Sequence, residues 1–76
     1  MPNVKLLNQI KVQRAIHNLT QEELASKIGV TRKTINTIEN GIFVPSTILA
    51  IRLAKYFKIK VEDLFDLTEE TPKHRL

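Results

Sequence analysis

Seventy-six residues with twelve Lys or Arg, eight Asp or Glu and no cysteine make one small basic chain of net charge +4. A chain this short buries only about 60% of the surface its unfolded form exposes, enough for one modest core and too little for a deep catalytic cavity or a second domain. The absence of cysteine excludes disulfides, cysteine-held zinc and thiol nucleophiles and points to a reducing cytoplasm; no apolar run is long enough to span a membrane, and the charge-dotted N-terminus lacks a signal-peptide core.

Glycines and prolines punctuate what remains. Strand-like alternation is confined to Val4–Leu7. Helical spacing then predicts a first helix over about Asn8 to His17. A second starts after Thr20, where Thr20 and Glu23 form a capping box, carries Leu24, Ala25 and Ile28 inward, and stops at Gly29, which adopts positive φ without steric penalty. Thr31 caps a third, Arg32 to about Asn40, with Ile35 and Ile38 inward and Asn40-Gly41 as its end. Ser46 after Pro45 caps a fourth, with Leu49, Ala50, Leu53, Ala54 and Phe57 at core spacing. A short fifth helix, about Val61 to Phe65, brings Leu64 and Phe65 to the core, although Lys60 is a poor cap. Residues 1–67 are expected to form one all-α domain of five helices. Leu6-Leu7 and residues near Asp66-Leu67 are candidates for a small two-stranded ribbon, and 68–76 read as a polar, acidic tail.

Charge is unevenly placed. Residues 1–61 hold ten Lys or Arg against Glu22, Glu23 and Glu39, whereas 62–76 hold five acids against Lys73 and Arg75. A basic body suits an anionic partner, but it also suits a solvated lysine-rich surface, and charge alone does not separate nucleic acid from acidic lipid.

Spacing separates them. Gly29-Val30-Thr31 joins two short helices, and a three-residue connection makes them cross steeply. Ala25 supplies a small side chain for close approach, and Val30, Ile35 and Ile38 pin the later helix from below. Its outward face is then Arg32, Lys33, Asn36, Thr37 and Asn40, every one a hydrogen-bonding residue suited to base edges or phosphates. This is the pattern of a helix-turn-helix DNA reader; a purely structural helix pair more often mixes Glu and Lys on its outer face.

The stretch TQEELASKIGVTRKTINTIENG at 20–41, with VPS at 44–46, LAIRLAKYF at 49–57 and VEDLF at 61–65, resembles the Cro/lambda-repressor-like (XRE-type) helix-turn-helix regulators over about Ile10 to Phe65. The resemblance implies a five-helix DNA-binding domain acting as a homodimer on a two-fold symmetric operator, similar to small members without a sensor domain. It implies that Gln21 grips a phosphate and that Arg32, Lys33 and Thr37 reach into the major groove. Thr34 and Asn36 then lie beside the backbone or the bases, and Asn40 and the loop after Gly41 touch flanking phosphates. With the cap Thr31, the expected DNA-contacting set is Gln21, Thr31, Arg32, Lys33, Thr34, Asn36, Thr37 and Asn40. Lys33 stands where the family often has glutamine and favours guanine acceptors or phosphate over adenine; Gln13 stands where it often has leucine. The family also commonly pairs an arginine of the first helix with a glutamate near the end of the third, here Arg14 and Glu39.

Other residues carry less. His17 and His74 have no cysteine or close carboxylate set for a metal, and Glu62, Asp63, Asp66, Glu69 and Glu70 lack calcium-loop spacing. No cofactor and no catalysis are expected. Val12, Ile16, Ile42, Phe43, Ile48 and Tyr56 exceed what the core needs; they read either as ordinary exposed apolar groups or as a self-association surface. The expected function is a sequence-specific regulator of transcription, a repressor more than an activator, binding an inverted repeat in double-stranded DNA in the cytoplasm with no membrane association. The alternative is an antitoxin that binds a toxin protein and represses its own operon.

Overall fold

A computed structural model describes residues 4–68, so residues 69–76 of the expected tail, with His74, Glu69 and Glu70, lie outside the described residues. The elements run β1 (Lys5–Asn8), α1 (Ile10–Ile16), α2 (Gln21–Ile28), α3 (Arg32–Glu39), α4 (Thr47–Phe57), α5 (Val61–Leu64) and β2 (Phe65–Thr68). Five helices and a two-stranded antiparallel ribbon are therefore present, with Leu6 opposite Leu67 and Leu7 opposite Asp66.

The helix starts follow local chemistry. The Thr20 hydroxyl accepts the Glu23 N–H at 3.0 Å while the Glu23 carboxylate accepts the Thr20 N–H at 2.8 Å, satisfying two donors at the start of α2. Thr31 and Ser46 cap α3 and α4 through the N–H groups of Thr34 and Leu49. Lys60 makes no side-chain cap for α5.

The ends of α1 to α4 share one device. Asn18, Gly29, Gly41 and Lys58 each adopt left-handed backbone. The N–H of the following residue then reaches back to a carbonyl in the last turn: Leu19 to Arg14, Val30 to Ala25, Ile42 to Thr37 and Ile59 to Ala54, at 2.8–3.0 Å. These are Schellman-type stops, which satisfy carbonyls the helix leaves orphaned.

Four boundaries differ from the sequence expectation. The first helix begins at Ile10 rather than Asn8, because Asn8 belongs to the ribbon and the Gln9 N–H donates to the Leu64 carbonyl at 2.9 Å. It ends at Ile16, with His17 beyond it as cap. The fifth helix stops at Leu64, since Phe65 turns to extended backbone and enters β2. Thr68, the first residue of the expected tail, is the last of that strand.

The core draws on all five helices and β2: Ile10; Leu24, Ala25 and Ile28; Ile35 and Ile38; Leu53, Ala54 and Phe57; Leu64 and Phe65. Burying such side chains, each contributing about 1.5–3 kcal/mol, is what fixes α2 and α3 against each other. His17, though exposed, lies against Phe57 with ring centroids 5.2 Å apart in a tilted arrangement.

Candidate nucleic-acid interface

Ile35 and Ile38 point α3 inward, and one consequence is that Arg32 and Lys33 stand exposed on its first turn. Neither makes a side-chain hydrogen bond or ion pair among the described residues. The other expected contact residues are more committed. The Thr31 and Thr34 hydroxyls lie 3.0 Å apart and share a hydrogen bond. The Thr37 hydroxyl lies 3.0 Å from both the Lys33 and Thr34 carbonyls and donates into its own helix.

The last turn of α3 is tied down from behind. The Arg14 guanidinium grips both oxygens of Glu39, at 2.6 Å through Nε and 3.1 Å through Nη2, and its Nη1 donates to the Leu19 carbonyl at 2.9 Å. Its pKa is raised above the ordinary arginine value, first by the hydrogen bond to Glu39 and then by that carboxylate's charge, with partial burial opposing. The Gln21 amide also donates to Glu39, at 3.1 Å, and its oxygen accepts from Asn36 Nδ2 at 3.3 Å. Asn40 closes the chain by donating to the Asn36 carbonyl at 2.9 Å and its Oδ1 at 3.3 Å. The expected Arg14–Glu39 pair thus exists as part of a network linking α1, α2 and α3.

Sequence reasoning missed two contributors, Asn8 and Arg52, and one role of Gln21. Asn8 Nδ2 donates to the Ile38 carbonyl at 3.0 Å while its Oδ1 accepts the Ile10 N–H at 3.1 Å, so one side chain joins β1, α1 and the end of α3. Arg52 Nη1 donates to the Ile28 carbonyl at 3.2 Å, placing a cation where the α2 dipole is negative. Gln21, expected only as a phosphate ligand, is a strut inside the protein that retains one amide N–H of its two. No signal local to Asn8 or Arg52 announces partners 30 and 24 residues away.

Of the expected set, Gln21 and Arg32 line one open hollow together with Arg14 and Thr20, and Lys33, Thr34 and Thr37 line another. The helix-turn-helix family model matches residues 10–64. The chain belongs to the XRE-type helix-turn-helix family. That family is one of DNA-binding transcriptional regulators and not of enzymes. An uncharacterized HTH-type transcriptional regulator of Methanocaldococcus jannaschii is 55% identical over 58 residues, 76% of this chain and 88% of that one. The regulator YgzD of Bacillus subtilis, likewise uncharacterized, is 46% identical over 63 residues, covering 83% of this helix-turn-helix chain and 96% of its own. The solution structure of the SOS-response transcriptional repressor LexA from Eubacterium rectale is similar with a TM-score of 0.71 and 31% identity, over 87% of this chain and 74% of that one. Among the described residues no helix is long and apolar enough to cross a membrane.

Proposed function

We propose that this helix-turn-helix protein is a sequence-specific repressor that lays α3 in the major groove of double-stranded DNA. The observation that carries the reading is the contrast within α3: two uncommitted cations, Arg32 and Lys33, ride on a helix whose opposite side is buried at Ile35 and Ile38. Cations at a recognition-helix start meet guanine acceptors or phosphate, while Thr37, Asn36 and Asn40 supply neutral hydrogen-bonding groups alongside. On this reading Gln21 and Thr31 face the backbone that flanks the groove, and Thr34, hydrogen-bonded to Thr31, stands beside the backbone or the bases. The similarity to a LexA repressor supports repression over activation.

A single small module contacts few bases, so it works as a homodimer, with two α3 helices set about 34 Å apart, one turn of B-DNA, on an inverted repeat. Val12 and Ile16 of α1 and Ile48 and Ile51 of α4 stay exposed and supply apolar surface for self-association. The antitoxin alternative would use the same α3 and give that apolar surface to a toxin. Selection of bound duplexes from a random pool, followed by light scattering of the free and bound protein, tests the reading. It requires an enriched inverted repeat and a dimer on it; a monomer both free and on its best duplex would refute the two-fold arrangement.

A further inference from the structure

The shared helix ending places an apolar residue after each left-handed position, and three of these four residues, Leu19, Val30 and Ile59, pack against the core. The fourth, Ile42, is 76% exposed, and Phe43 beside it is 47% exposed. They are not on a loose loop. The Thr37 carbonyl accepts both their N–H groups, at 2.9 and 3.2 Å, and the Gly41 N–H donates to the Ile38 carbonyl at 3.0 Å. All three N–H groups of this stretch are therefore spent on α3, which removes them as donors to a phosphate. What Ile42 and Phe43 have left to offer is apolar side chain, and with Lys33, Thr34 and Thr37 they line an open notch of about 300 Å³ continuous with the outward face of α3.

A ligand matched to this surface offers hydrogen-bonding atoms next to one small apolar group. In the major groove each base pair presents donors and acceptors, and only thymine adds a methyl group. We propose that Ile42 and Phe43 form a receptor for the thymine 5-methyl group, so that this loop reads sequence. The inference rests on α3 being the DNA-reading helix and adds a specificity element outside it. Lys33 and Thr37 hold the neighbouring base or phosphate, and the notch between them and the loop admits the methyl.

The test begins with the tightest duplex selected from a random pool. Each thymine is replaced singly by deoxyuridine, which deletes the methyl and leaves the hydrogen-bonding edge intact. At one or two thymines per half-site the wild-type affinity should fall about 3- to 5-fold, the equivalent of one buried methyl-sized group. In Ile42→Ala and in Phe43→Ala the same replacement should cost less than about 1.5-fold, because the receptor is already lost. Ile42 is exposed, so Ile42→Ala should melt as the wild type does, and a matching melting curve secures the comparison. Tight binding with no sensitive thymine overturns the inference and leaves the DNA-reading helix standing. Sensitivity retained in both variants also overturns it, since the methyl is then read elsewhere. A dimer that becomes a monomer in Ile42→Ala, with thymine sensitivity unchanged, assigns the patch to self-association and likewise overturns it. If no duplex is enriched at all, the reading of α3 fails together with the inference.

Discussion

The first turn of α3 carries Arg32 and Lys33 with no side-chain partner among the described residues, whereas its last turn is held by Glu39 and Asn36 in a network reaching Arg14 of α1 and Gln21 of α2. On the proposed reading, the difference separates reading from holding: the two cations that would meet DNA keep their donors unspent, while the Arg14–Glu39–Gln21–Asn36 network that orients the helix spends donors inside the protein. A helix fixed in this way loses less freedom on binding, which is where preorganisation gains affinity. Substitutions at the two ends should therefore report on different quantities.

The largest effect on stability is expected from Glu39→Ala. The Glu39 side chain is only 6% exposed and that of Arg14 15%, so its removal strands a part-buried guanidinium and takes an acceptor from Gln21. Chemical denaturation should show a loss of about 2–4 kcal/mol. A double-mutant cycle with Arg14→Ala should give a coupling of about 1–3 kcal/mol. A coupling indistinguishable from zero would make the two residues ordinary surface charges and erase the distinction between the ends. Asn8→Ala comes next. It deletes the bonds to the Ile38 carbonyl and the Ile10 N–H, and a loss of about 1–2 kcal/mol is expected; an unchanged denaturation midpoint would mean that β1 does not brace the end of α3. Smallest of all, Arg32→Ala and Lys33→Ala should leave stability within about 0.5 kcal/mol of wild type, and a larger loss would show that the first turn has structural partners after all.

How much of this was legible in the sequence depends on the reach of each interaction. The Thr20–Glu23 box, the Thr31 and Ser46 caps and the left-handed Gly29 and Gly41 all act within a few residues, and each stands where its residue type implies. Asn18 and Lys58 take the same left-handed conformation without glycine, because the apolar residues after them, Leu19 and Ile59, are drawn onto the core. The start of α1 misled for a related reason: Asn8 and Gln9 suit a helix locally, but the ribbon and the Leu64 carbonyl claim them. In the candidate site the Arg14–Glu39 pair was visible through family resemblance, while the role of Gln21 as a strut depends on Asn36 and Glu39 arriving from another helix.

The separation of reading from holding is tested most directly by affinity against a panel of single-base operator variants, measured at two salt concentrations for wild type, Arg32→Ala, Lys33→Ala and Gln21→Ala. Arg32→Ala and Lys33→Ala should each flatten the preference at one or two base pairs per half-site by about 1–3 kcal/mol of discrimination. Gln21→Ala should weaken binding to every sequence by a similar factor and, being a change of an uncharged residue, leave the salt slope nearly unaltered. If the two cation variants lower all affinities equally while Gln21→Ala changes base preference, the division of labour within this helix pair is the reverse of the one described.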